Sequence, residues 1–375
     1  MIKGKGSAGS ALVNEIASVG KRTKSVTTLA QEKSDVVIKA FKRFAVHEQR
    51  IRHVCVFRQL GGIGDFLMLT PVFRGLKEKY PGCYITLATD TNYMAGALPM
   101  LARGNPFIDQ TIRINPFTFV CSPTRHLRRE FKDVPNDPIP HCVLETDLVI
   151  DLNVICAHTE TAQQPNVVDH RTDIWCRAAG VEPSSKKPIL VLNKDELREG
   201  RDWCDRTLGE GVRVGVVLSS MSPARDWPYG EEFSAELCRL GYRVCTIDRI
   251  RRGYNKIPTM LGMQIRQVAA AIAHLDLVIS PDTGILHVAG AMGTPVLGIF
   301  GSTDGRLRMR EYAGSYVDSR RVVSCGPCWY LNPCRKDEDK NQHYICLKRI
   351  TPTFVQHEME MLLESYNREL PKRQN

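Results

Sequence analysis

V-C-V-F-R-Q-L-G-G-I-G-D-F-L-M-L-T-P, Val54–Pro71, decides the architecture. Val54–Phe57 is a short apolar strand, and Gly61, Gly62 and Gly64 make a turn in which bare backbone can approach a ligand. From Asp65 to Lys79, Leu67, Leu69, Val72 and Leu76 recur at helical spacing, and Tyr84–Ala88 reads as the next strand. Strand, turn, helix and strand form a βαβ unit, which predicts a parallel sheet. No Lys-Ser/Thr pair follows the glycines, so the turn is not a Walker A loop. Asp65 and Phe66 also break the spacing of a dinucleotide fingerprint. What remains is a carboxylate at a strand-to-helix turn. Asp65 is therefore a candidate general base for a hydroxyl, with a helix N-cap as the alternative reading.

Working outward, strands are expected at Thr111–Ile114 and Leu148–Leu152, and a helix at Arg171–Ala179. The proline-containing run Glu182–Pro188 and a strand at Ile189–Leu192 mark a crossing into a second α/β series. That series has strands at Val212–Leu218, Tyr242–Ile247, Leu275–Ser280 and Val296–Phe300. Helices at Gly230–Leu240, Met263–Ala273 and Gly284–Ala291 alternate with them. The division is a basic helical extension (1–52), a first domain (53–190), a second domain (191–350) and a C-terminal helix with tail (351–375). Two doubly wound halves imply a cleft at the carboxyl ends of their strands.

Three further segments carry candidate chemistry. In S-P-D-T-G-I-L-H, a strand ends at Ser280 and a helix begins at Thr283 and Gly284, so unpaired N–H groups and the positive helix end suit a diphosphate. Asp282 would repel phosphate there and is expected to accept from a sugar or ribose hydroxyl, an Asp cap being the alternative, while His287 packs within the helix. In S-S-M-S-P-A-R-D-W-P, Ser219 follows a strand and Arg225 can neutralise a leaving diphosphate, with Trp227 and Pro228 anchoring the next helix. Asp248 ends a strand where nucleotide-binding domains often place a ribose carboxylate, a turn carboxylate being the alternative.

Most of the thirteen cysteines are scattered in apolar runs, as reduced, packed thiols would be. Cys325, Cys328, Cys334 and Cys346 form C-x2-C-x5-C-x11-C, a spacing that can supply four thiolates to a structural zinc or iron; disulfides or free thiols are the alternatives. The acidic run Asp337–Asp339 inside that loop reads as solvated surface. Net charge is +10, and residues 1–52 hold eleven Lys/Arg against four acids. A basic head on a near-neutral body suits DNA, an anionic membrane surface or an acidic acceptor, or else serves as a solvated arm. No apolar run reaches membrane-spanning length, so the chain is expected in the cytoplasm, including peripherally at the inner face of the membrane.

G-G-I-G-D-F-L-M-L-T-P, A-R-D-W-P, S-P-D-T-G-I-L-H-V-A-G-A-M-G-T-P and the late cysteines, in that order, resemble glycosyltransferase family 9, the ADP-heptose:lipopolysaccharide heptosyltransferases and their relatives. The resemblance covers roughly residues 53–365. It implies a GT-B fold, two Rossmann-like domains facing across a cleft with the helix Thr351–Tyr366 crossing back onto the first. It implies an inverting, metal-independent transfer from a nucleotide sugar, by default ADP-heptose, to lipopolysaccharide core or another glycan. Modified DNA and protein are alternative acceptors, and a non-catalytic nucleotide- or nucleic-acid-binding module is the reading from a different class. Asp65 matches the catalytic base. Gly62, Gly64, Ser219, Asp248, Asp282, Thr283 and Gly284 fall in the donor-binding segments. Arg225 stands where the family usually has a phosphate-binding lysine.

Overall fold

The computed structural model describes residues 51–58, 61–89, 97–113, 146–248, 257–330 and 344–371. The basic extension, except Ile51 and Arg52, lies outside the described residues. So do Cys334 and the acidic run at 337–339.

The first sheet has the order β3-β2-β1-β4 and is parallel throughout. Its strands are β1 (His53–Phe57), β2 (Tyr84–Thr89), β3 (Gln110–Arg113) and β4 (Leu148–Asp151). Val54, Cys55, Val56 and Phe57 are all buried, as a central parallel strand covered on both faces requires. Helix α1 (Ile63–Lys79) follows β1 and buries Phe66, Leu67, Leu69, Val72, Phe73 and Leu76. Pro71 inside α1 has no N–H for the Leu67 carbonyl. The Thr70 hydroxyl donates to that carbonyl instead, at 2.7 Å, and accepts the Ile189 amide at 2.7 Å. The expected strand at Ile189–Leu192 does not form, because its leading amide is spent on Thr70 rather than on a sheet neighbour.

Helices α2 (Ala97–Ala102), α3 (Ile155–Gln163) and α4 (Arg171–Ala179) complete the described first half, with α4 packed on α1. Sequence reading finds α4 and misses α3. Helix α5 (Lys194–Leu208), also missed, opens the second half with a reciprocal cap. The Asn193 side chain accepts the Glu196 amide at 2.8 Å, and Glu196 accepts the Asn193 amide at 2.9 Å.

The second sheet, order β6-β5-β7-β8-β9, is also wholly parallel. It comprises β5 (Arg213–Val217), β6 (Arg243–Ile247), β7 (Leu277–Pro281), β8 (Val296–Phe300) and β9 (Gly314–Asp318), the last not foreseen. Helices α6 (Gly230–Arg239), α7 (Ile265–Ile272), α8 (Gly284–Met292) and the short α9 (Gly305–Arg308) connect them. Strand order reverses beside β1 in the first sheet and beside β5 in the second. Ligands of such sheets bind where the order reverses, at the strand carboxyl ends. One apolar cluster runs from Val54 and Leu67 through Val268 and Leu286, so the two halves share a core.

Helix α10 (Ile345–Arg349) leads into α11 (Pro352–Ser365). Contrary to the expected crossing, α11 buries Val355, Met359 and Leu363 with Leu277, Leu297 and Val317 on the second sheet. Its stripe at helical spacing fills that face. Donation from Trp227 Nε1 to the Ile350 carbonyl (2.7 Å) and from the Tyr229 hydroxyl to the Lys348 carbonyl (2.9 Å) ties its approach there.

Candidate active site

The carboxyl ends of β1, β5 and β7 open on one cleft of ≈ 950 Å³. Asp65, Gly62 and Gly64 line it from the first half, and Ser219, Arg225, Asp248, Asp282, Thr283 and Gly284 line it from the second. The predicted catalytic and donor-binding residues therefore come together. Of the predicted thiolate set, Cys334 lies outside the described residues, and among the described residues no three His, Cys, Asp or Glu side chains gather to hold a metal. Cys325 is exposed, Cys328 half-buried and Cys346 buried.

Asp65 is not the N-cap of α1 but stands three positions inside it, where its Oδ2 accepts the N–H of the cap residue Gly62 at 2.8 Å. That amide is thus committed to Asp65. The other oxygen, Oδ1, pairs with Arg171 Nη1 at the start of α4. Burial opposes ionisation of Asp65, but Arg171, Arg58 and the Gly62 amide outweigh it and hold the pKa at about 2. Arg58 is fixed by the Leu152 and Asn153 carbonyls and by the Trp175 ring, 5.1 Å away. Gly61, at φ +125, leaves room for it, since a Cβ there would lie 2.2 Å from Arg58 Nη2.

Gly64 and Gly284 serve packing between helices. A Cβ on Gly64 would lie 2.3 Å from His287 Cδ2, and one on Gly284 would lie 2.8 Å from Ile63 Cβ. The amino ends of α1 and α8 therefore abut at the cleft floor. Gly284→Val is expected to force them apart and to destabilise the fold by about 2 kcal/mol. Urea unfolding and nucleoside diphosphate titration would check this; unchanged values in both would refute the tight contact.

On the donor side, Ser219 Oγ donates to Asp248 Oδ1 at 2.5 Å, which orients a carboxylate at the end of β6. Arg225 Nε is buried without a hydrogen-bond partner among the described residues. Thr283 is the N-cap of α8, its hydroxyl 3.2 Å from that of Ser280. Asp282 is 6% exposed and accepts from Thr303 Oγ1 at 2.9 Å, with Arg308 Nε at 3.8 Å. Burial raises its pKa, while Arg308, Arg225, His287 and the Thr303 hydroxyl lower it further, leaving it below the usual carboxylate range. Part of its accepting capacity is therefore used internally. Burial pushes His287 down to about 4 even with Asp282 nearby, so it is neutral at pH 7; its Nδ1 lies 2.6 Å from the Tyr312 hydroxyl.

Sequence reasoning missed Arg171, Glu160, Arg308, Trp329 and Tyr330, all of which line the cleft. Glu160 accepts from Arg171 Nε (2.8 Å) and Nη2 (2.6 Å) and from Arg308 Nη2 (3.2 Å). Arg308 lies over the Trp329 ring at 5.0 Å. Trp329 and Tyr330 have φ values of 48° and 68°, a left-handed pair in which non-glycine residues store strain.

Comparison with known proteins adds to this geometry. The chain is 23% identical over 159 residues to lipopolysaccharide heptosyltransferase 1 of Pseudomonas aeruginosa, covering 37% of this chain and 44% of that protein. It spans between 38% and 52% of the length of the curated relatives it matches. A family 9 glycosyltransferase from Veillonella parvula superposes with a TM-score of 0.61 at 16% identity, over 85% of this chain and 99% of that one. E. coli ADP-heptose lipopolysaccharide heptosyltransferase II gives 0.57 at 16% identity, over 84% and 100%. The iron-containing dodecameric glycosyltransferase TibC from enterotoxigenic E. coli H10407 gives 0.58 at 18% identity, over 84% and 77%. These likenesses show a shared fold of two facing Rossmann-like domains. Residues 150–345, more than half of the chain and the part that supplies β5 to β9, match the family model itself, and the chain belongs to glycosyltransferase family 9 (heptosyltransferase).

Proposed function

We propose that this protein transfers a sugar from a nucleotide-sugar donor to a hydroxyl of a glycan acceptor, by a single inverting displacement. One observation carries the reading: a half-buried carboxylate on the first turn of α1 shares a cleft with Arg225 and the amino end of α8. Asp65 takes the proton of the acceptor hydroxyl as its oxygen attacks the anomeric carbon. The bond from that carbon to the diphosphate breaks, and the leaving charge is received by Arg225 and the amides at Thr283 and Gly284. Gly62 and Gly64 shape the floor, while Ser219 and Asp248 lie where the nucleoside would be held.

ADP-heptose is the default donor and lipopolysaccharide core the default acceptor, in line with the relatives' names. The family likeness supports a reaction without a catalytic metal. A structural zinc or iron would be held by Cys325, Cys328, Cys334 and Cys346, of which Cys334 lies outside the described residues. Among those residues no helix is long and apolar enough to cross a membrane. Work at the inner membrane face would rest on the basic residues 1–52.

The test is a donor panel read by thermal stabilisation and by release of nucleoside diphosphate. One donor at about 100 times its Kd should stabilise the fold by about 2.7 kcal/mol. Binding of no nucleotide sugar by the folded chain would overturn the proposal.

A further inference from the structure

Asp65 and Asp282 are the two ends of one chain of alternating charges that crosses between the domains. Its inner members are Arg171, Glu160 and Arg308. Arg171 grips Glu160 with Nε and Nη2 and reaches Asp65 with Nη1. Glu160 Oε1 serves both Arg171 Nε, at 2.8 Å, and Arg308 Nη2, at 3.2 Å. Arg308 Nε in turn stands 3.8 Å from Asp282 Oδ2. Each cation is shared between two carboxylates, and Glu160 between two cations. A change in sharing at one end must therefore alter it at the other.

We propose that Arg171 is the positioning residue of the Asp65 carboxylate, and that Glu160, acting through Arg171, loosens this hold when a diphosphate engages Arg308. The inference rests on the transferase reading and deepens it. A hydroxyl cannot pass its proton efficiently to a carboxylate that a guanidinium already neutralises. A diphosphate at the amino end of α8 and Arg225 lies beside Arg308 and competes with Glu160 for it. Glu160 then keeps Arg171 as its one cation and draws it more strongly, so the share of Arg171 left to Asp65 falls. Other groups facing Asp65 are Arg58, the Gly62 amide, Cys156 and His287. Arg58 is held by two carbonyls and the Trp175 ring, so it stays in place. Burial keeps the Cys156 thiol protonated and His287 neutral at pH 7. The charges of Arg171 and Arg308 also reach Asp65, and these two are the cations that pair with Glu160. The consequence is an order of events: the donor arms the base before the acceptor reacts.

The experiment is a carbon-13 titration of the Asp65 carboxylate in the full chain, with and without saturating ADP or UDP, binding being verified by calorimetry. In the wild type the nucleotide should raise the Asp65 pKa by about one unit or more. In Arg171→Gln the pKa should already be raised without nucleotide and barely respond to it. In Glu160→Gln the response should shrink to about a third of the wild-type shift or less. Bound nucleotide with no response in the wild type overturns the relay, whether or not either variant folds. So does a full response in folded Glu160→Gln, which would mean that the diphosphate acts through space alone. If neither these nucleotides nor any donor of the panel binds, the transferase reading fails first and takes this inference with it.

Discussion

Alanine in place of Asp65 is expected to lower kcat by about 10³-fold, the scale of a lost general base, while affinity for the nucleoside diphosphate is kept or rises by up to about tenfold. The two effects separate because Asp65 binds nothing on the donor side: its partners are Gly62 and Arg171. Removing it leaves Arg171 still gripped by Glu160 through two nitrogens, so the half-buried guanidinium is not stranded. Asp65→Asn keeps an acceptor for the Gly62 amide and should fold at least as well, yet be as inactive. A parallel fall in kcat and in nucleotide affinity would instead assign Asp65 to architecture. Its titration has a second readout. Because the folded pKa, at about 2, lies below the ordinary carboxylate value, the ionised form stabilises the fold above about pH 4. That contribution is lost as pH falls toward 2, so acid unfolding of Asp65→Asn should be flatter than wild type in this window.

Methionine in place of Arg266 is expected to cost about 3 kcal/mol of stability, the scale of a broken buried ion pair. Arg266 lies on α7 with its side chain 6% exposed, and it is spent entirely on structure. It grips Glu196 with Nε and Nη2, both at 2.6 Å, and donates to the carbonyls of Met100 (2.9 Å), Arg103 (3.1 Å) and Val191 (2.8 Å). The first two belong to the end of α2 in the first half, so one side chain pins the halves together beside the cleft wall at Met100. Arg266→Lys keeps the charge but not the fork, and should fall between methionine and wild type. Chemical denaturation would measure the loss, and a change under about 0.5 kcal/mol would mean that the pin is dispensable.

The βαβ start was legible because strand, glycine turn and apolar helix follow one another within a short stretch of chain. Helix α5 was not. Its buried stripe is Gly200, Cys204 and Leu208, too small to stand out as apolar periodicity, although its Asn193–Glu196 cap was visible in the sequence. The positions lining the cleft could be named from the turns that follow each strand. Their roles were harder, since Gly64 and Gly284 look like ligand-facing glycines until the opposite helix is in view. Arg171 and Arg308 were illegible for a simpler reason. Arg171 meets Asp65 across 106 residues of chain and Arg308 meets Glu160 across 148, and no local spacing reports such a pairing.

The abutting amino ends of α1 and α8 have an electrostatic consequence of their own. Each helix carries about half a positive charge at that end, so the floor where Gly64 meets His287 and Gly284 meets Ile63 gathers about one unit from peptide dipoles alone. Two like poles pressed together repel, and an anion between them relieves the repulsion. Asp65 supplies part of that relief within the protein, and a departing diphosphate would supply the rest. Product affinity is then coupled to helix packing: whatever separates the two helices also weakens the grip on the leaving group.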